Sequence, residues 1–260
     1  MDNPSNPVDK RPPGPVSVEK PGVPAPSITD VWGVPIAVWR ARRALDRGEL
    51  ERARALVAPL LGRFGTVTLV RKIAAEILYA AGDPLSAATL FEQVAKKLPH
   101  DRAVALGLVA SYAALNRAGD ARRSAALRLD HIDVRLALAW SELVAIGGDR
   151  ARGRELVAEC ARDPDLAGSA ERVAMQLALE AIVAAHDGDG DRVRATLQRA
   201  QRDSSRMRSG DHAFLGYLGG VALREAGLID DARATFALAI DASPESIGAA
   251  LARRERANLA

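Results

Sequence analysis

Val221-Ala-Leu-Arg-Glu-Ala-Gly-Leu-Ile-Asp-Asp-Ala-Arg-Ala-Thr-Phe-Ala-Leu-Ala-Ile-Asp-Ala-Ser-Pro244 decides the fold of this chain. An apolar period near 3.6 runs through Val221 and Leu223, breaks at Gly227, and resumes through Ala232, Phe236, Ala239 and Ile240. That pattern predicts a helix, a tight glycine turn, a second helix and a proline stop. Two amphipathic helices so joined pack antiparallel, and one such hairpin cannot bury its own apolar face. The same offsets recur 145 residues upstream, where Gly82, Ala87, Phe91 and Pro99 stand as Gly227, Ala232, Phe236 and Pro244 do here.

Working outward, glycines punctuate the chain at 48, 82, 119, 148, 188 and 227, at intervals of 34, 37, 29, 40 and 39 residues. Aligned on them, Ala53, Ala87, Ser124, Gly153, Val193 and Ala232 occupy the second helix where it faces the first. Ala41, Ala75, Tyr112, Ser141, Ala181 and Gly220 occupy the first. Small side chains at such crossings let helices approach closely; Tyr112 is the misfit, so the register of the third hairpin is the weakest. The 48% hydrophobic content with only 4% aromatic residues means Ala, Leu and Val, as helix-on-helix packing requires.

Ala87-x3-Phe91 and Ala232-x3-Phe236, each with a small residue in the preceding helix and a closing proline, resemble the tetratricopeptide repeat, a helix hairpin of about 34 residues. The resemblance implies an all-α superhelix of about six hairpins over residues 29–243, with residues 244–260 as a C-terminal capping helix opened by Pro244. It also implies a protein that holds other proteins. By the family's groove positions the concave face carries Leu69, Lys72, Glu76 and Tyr79, then Leu106, Val109, Ala113 and Asn116, then Arg135, Leu138, Glu142 and Ala145, and last Phe214, Tyr217, Val221 and Arg224. That surface is largely apolar with a charged rim from Lys72, Glu76 and Arg135, and it suits an amphipathic helix or an extended apolar segment. Neighbouring repeats closing on each other would instead make Leu69, Leu106 and Leu138 core. The Lys and Asn pattern that grips a carboxylate in chaperone-binding members is missing, since Lys72 and Asn116 stand alone.

Residues 1–28 hold eight of the fourteen prolines and almost no large apolar side chain, so they are expected to form a disordered tail. Pro12-x-x-Pro15 and Pro21-x-x-Pro24 offer a second protein contact, against the simpler reading of a spacer. The first regular helix is expected from Pro35 to Arg47, with Trp32 and Trp39 either plugging the open end of the stack or anchoring a partner; the plug is the preferred reading.

Chemistry-bearing residues are sparse. Basic residues exceed acidic ones by 36 to 33, too little to argue for a nucleic-acid or membrane partner, and the arginines near the two ends are interspersed with Asp46, Glu49, Asp203 and Glu255. Asp187-x-Asp189-x-Asp191 copies the first ligands of a calcium loop but continues with Arg192 and Gln198 where glycine and a bidentate glutamate belong, and it reads as a turn with an N-cap. The lone Cys160 reads as a buried small hydrophobe, and the four histidines, His100, His131, His186 and His212, are dispersed. Neither a cofactor nor a catalytic constellation is expected, and therefore no enzyme. Met-Asp-Asn-Pro at the start is no secretory signal and no apolar run spans a bilayer, so a bacterial cytoplasmic adaptor is the expectation, with self-association open. The competing classes are a regulatory or sensor module controlling a transcription factor or an enzyme, and a nucleic-acid-binding repeat protein.

Overall fold

The computed structural model describes residues 28–204 and 207–259. The proline-rich segment expected to be a disordered tail, with both of its Pro-x-x-Pro motifs, lies outside the described residues. Among those described there are thirteen α-helices and no strand. Twelve of the helices form six consecutive pairs: α1 (Ile28–Asp46) with α2 (Leu50–Phe64), α3 (Thr68–Ala80) with α4 (Pro84–Ala95), and α5 (Arg102–Ala114) with α6 (Ala118–Ala125). The next are α7 (Ile132–Val144) with α8 (Arg150–Ala161), α9 (Ala170–His186) with α10 (Gly190–Asp203), and α11 (Ser209–Glu225) with α12 (Ile229–Ala242), before a final α13 (Ile247–Ala257). Helix–helix packing of this kind is consistent with a helical repeat.

Each turn is built by one left-handed residue. Gly48, Gly82, Gly188 and Gly227 have φ between 75° and 79°, the region where a Cβ is penalised. The residue after each donates its N–H five residues back: Glu49 to Ala44, Asp83 to Leu78, Asp189 to Ala184 and Leu228 to Leu223, at 2.9 to 3.1 Å. This closes the last carbonyls of the first helix.

The third and fourth turns differ from expectation. In the third, the left-handed residue is Asn116 (φ 58°), with Arg117 donating to the Tyr112 carbonyl at 2.8 Å, while Gly119 lies inside α6. Asn tolerates this region because its short side chain can bond locally. Re-registered on Asn116, the crossing residues become Val109 and Ala121, both fully buried, and the misfit of Tyr112 disappears. In the fourth, Gly147 rather than Gly148 has positive φ, and the turn is two residues longer. A Cβ on Gly148 would stand 2.4 Å from the Glu142 carbonyl oxygen, so this position too excludes a side chain.

The closing prolines also do something other than expected. Pro99 and Pro244 each sit second in a tight turn, closed by Asp101 N–H to Leu98 at 3.2 Å and Ser246 N–H to Ser243 at 3.0 Å. Asp101 and Ser246 then cap the following helices, accepting from the N–H groups of Val104 and Ala249. The last helix therefore begins at Ile247 with Ser246 as its cap, not at Pro244.

At the other end the first helix starts at Ile28, about two turns before Pro35, which lies inside it. Trp39 is 56% exposed and plugs nothing; the side chain of Trp32 lies outside the described residues.

Two apolar cores result, a small one in α1, α2 and α3 and a large one running from α3 to α13. The chain also turns back on itself. A Cβ on Gly48 would lie 3.9 Å from Ser209 Oγ, one on Gly82 would lie 3.1 Å from Ala250 Cβ, and Arg254 Nη1 donates to the Ala114 carbonyl at 2.9 Å. The turns of the first three pairs thus receive the C-terminal helices, and the inner face of the stack meets its own far end.

Candidate functional site

That closure decides what becomes of the inner residues. On α11, Tyr217 is 1% exposed, and its ring packs edge-on against Trp140 of α7 with centroids 6.2 Å apart. Phe214 meets the same indole at 4.9 Å and 85°. Val109, Leu138 and Val221 are equally enclosed, so these three and Tyr217 are core, not a surface offered to a guest. Ala113 is buried as well. Sequence periodicity marks them correctly as one stripe but does not say that the stripe meets another helix.

The charged members are held by the protein itself. Lys72 Nζ bonds Asp101 Oδ2 at 2.7 Å, and Glu76 receives Arg42 of α1. Burial raises the Glu76 carboxyl above its usual range even though Arg42 and Lys72 lie beside it. Arg135 bonds Asp163 and donates to the Leu129 carbonyl at 2.9 Å. Arg224 bonds Glu255 and Glu225. Glu255, on the last helix, accordingly faces inward. Leu69 is 48% exposed on the first turn of α3.

Open space remains inside the stack. A cavity of about 430 Å³ lies between α1, α3, α5, α11 and the turn before α13, and a second of about 260 Å³ between α3, α5, α7, α9 and α11. Tyr79, Leu106, Ala110 and Phe214 form walls of both. Of the predicted groove, therefore, Glu76, Tyr79, Leu106 and Phe214 still border a space a ligand can enter. Burial pushes the Tyr79 phenol well above its ordinary value, with Tyr217 adding to the effect. The smaller cavity is walled by Trp140, Met175 and Leu136 as well; Asp133, Glu171 and Arg172 also line it, but the surface it exposes is mostly apolar. At the wider mouth Arg42 bonds Asp46 and Arg208 bonds Asp211 at 2.8 Å, so the rim carries charges in compensated pairs.

Other chemistry resolves into structure. Asp187 receives Arg154 at 2.7 Å and Asp189 caps α10 through the Arg192 N–H, so two of the three aspartates of the calcium-like stretch already have partners. Among the described residues no group of three or more His, Cys, Asp or Glu is arranged to hold a metal. Cys160 is fully buried and its thiol is raised by that burial. Glu142, read as a groove residue, is the most enclosed carboxylate of the described chain. It bonds Arg122 Nη2 at 2.6 Å and accepts the Asp149 N–H at 2.7 Å, doing for the fourth turn what a backbone carbonyl does in the others. Ala145, at the end of α7, belongs to that same turn.

A further pocket of about 660 Å³ opens between α10 and α12 over a floor that includes Gly216 and Gly219 of α11. Gly216 is a close-packing position, since a Cβ there would come within 2.9 Å of Ala239 Cβ, while Gly219 has only ordinary contact distances around it.

No described helix is long and apolar enough to cross a membrane. In comparison with protein families, curated proteins and solved structures, nothing matches this chain.

Proposed function

We propose that the chain is a non-catalytic, tetratricopeptide-like adaptor of six hairpins that holds an apolar segment of another protein in the channel along its inner face. One observation carries the reading: Tyr79, Leu106, Ala110 and Phe214 wall both inner cavities, so the two adjoin along a shared wall. Their combined size lies within the few hundred to about 1,000 Å³ typical of ligand sites. The walls are apolar and the rim charges are mutually compensated, which favours an uncharged, apolar guest over a carboxylate or a phosphate. A regulatory module acting on a transcription factor or an enzyme would use the same channel, with the guest as its effector. A bacterial cytoplasmic setting fits the Ala- and Arg-rich composition.

Site-specific photo-crosslinking in the native host tests this. A photoreactive residue at Leu106, inside the channel, should capture a discrete protein, while one at Leu85, exposed on the outer side of α4, should not. Equal capture from both positions, or none from Leu106, rejects the channel as the holding site.

A further inference from the structure

Each first helix after the opening one is packed against the second helix of the pair before it, α3 on α2, α5 on α4, and so on to α11 on α10. The opening helix, α1, has no described predecessor. Its outward side carries Ile36, Trp39, Arg40, Arg43 and Arg47, at offsets 0, 3, 4, 7 and 11, which is one stripe of a helix about 16 Å long. Ile36 is 57% exposed and Trp39 56%. The Arg43 guanidinium lies over the Trp39 ring, 5.1 Å from its centroid, holding the indole in place.

Charge separates this stripe from ordinary solvated surface. Arg42 is balanced by Asp46 and Glu76, and Arg47 stands 3.9 Å from Glu49. Arg40 and Arg43 have no carboxylate partner among the described residues. Two guanidiniums one turn apart, without a carboxylate partner among the described residues and beside an exposed indole and an isoleucine, make a positively charged apolar ridge. Trp and Arg are the residue types that carry most binding energy in protein interfaces.

We propose that this face of α1 docks an acidic amphipathic helix from a partner protein, which packs on α1 as the preceding second helix packs on each later first helix. Its apolar side covers Ile36 and Trp39, and its carboxylates meet Arg40 and Arg43. A second copy pairing through the same stripe about a twofold axis would set arginine against arginine. A lipid surface would gain only about 1 kcal/mol from each of two cations, too little for a stable anchor. A single-stranded nucleic acid needs successive stacking platforms, and this face offers one ring already covered on one side.

The test uses the full chain and two designed peptides about four helical turns long, one of Leu and Glu, the other identical but with Lys for Glu. Fluorescence anisotropy should show the Leu–Glu peptide binding and the Leu–Lys peptide not. Trp39→Ala should weaken binding by roughly tenfold or more, and the double variant Arg40→Glu/Arg43→Glu should reverse the preference to the Leu–Lys peptide. All three side chains project into solvent, so the variants should melt as the parent does. Binding of neither peptide, equal binding of both, or indifference to the substitutions overturns the proposal. So does sedimentation showing that Trp39→Ala abolishes a dimer, or stronger binding to phosphatidylserine vesicles than to the peptide.

Discussion

Tyr217 of α11 and Trp140 of α7 cross at 80° with their ring centroids 6.2 Å apart, and both side chains are almost wholly enclosed. The contact joins the fourth helix pair to the sixth, so it ties the inner face of the stack to the part of the chain that folds back onto it. Tyr217→Ala would remove a ring that also packs against Phe214 at 5.8 Å, leaving a cavity. The expected cost is about 3–5 kcal/mol, read as a lower urea midpoint together with an altered near-ultraviolet signal from Trp140. Tyr79→Ala, at a half-buried ring on the channel wall, should cost clearly less. Equal losses at the two positions would contradict the difference in burial.

Phe91 and Gly107 make the tightest junction between consecutive pairs. A Cβ at Gly107 would stand 2.3 Å from the Phe91 ring, which is 1% exposed and would have to shift from its packed position to admit it. Gly107→Ala should therefore destabilise by about 1–3 kcal/mol, the range for overpacking, although alanine is the better helix former. Thermal melts of Gly107→Ala alone and with Phe91→Leu check the cause: the smaller side chain should recover part of the loss. A double variant no better than the sum of the two singles would mean that the clash is not what hurts.

How far the sequence carried these details depends on where the information lies. The helix pairs were legible because each is a local pattern: a 3.6 period, a left-handed glycine and a small residue at the crossing, as at Ala232 and Gly220. The third register failed because Gly119 drew attention from Asn116, though the interval from Gly82 to Asn116 repeats the interval of 34 from Gly48 to Gly82. The channel was legible only in part. Tyr79, Leu106 and Phe214 border it, yet Tyr217 and Val221, on the same stripe, are sealed by α7 and α13. How far successive pairs rotate is set by junctions such as Phe91 on Gly107, between residues that no single helix period relates. The closure of the far end onto Ala114, through Arg254 140 residues away, has no local signal at all.

Arg122 and Glu142 give an asymmetric pair. The carboxylate side chain is fully enclosed while the arginine is 43% exposed, and the carboxylate also accepts the Asp149 N–H. Arg122→Ala leaves a buried carboxylate with one backbone donor, at a cost of about 1–3 kcal/mol. Glu142→Gln keeps an acceptor for the Asp149 N–H and leaves an arginine that water can solvate, so it should be the milder change. Chemical denaturation of both variants ranks them. The opposite order would mean that the fourth turn depends on the carboxylate charge itself.

His186 offers a pH dependence whose sign is fixed. It ends α9 with a side chain 7% exposed and neither ring nitrogen hydrogen-bonded, with Arg150 and Arg154 of α8 nearby and Glu225 and Asp187 on the other side. Burial first, then Arg150 and to a smaller extent Arg154, lowers its pKa below the ordinary 6.5, against the opposing pull of Glu225 and Asp187. The unfolded chain therefore takes up a proton as pH falls through about 6.5 before the folded one does. Stability from the neutral ring is complete above that value and is lost progressively as pH drops toward the folded pKa, where the loss levels off. Glu76, with its raised carboxyl, acts in the opposite sense at lower pH, so the informative quantity is the difference between parent and variant. Melting temperatures at about pH 7.5 and about pH 5.5 should fall more for the parent than for His186→Gln. An equal fall in both would show that the imidazole reaches solvent or a carboxylate before the helices separate.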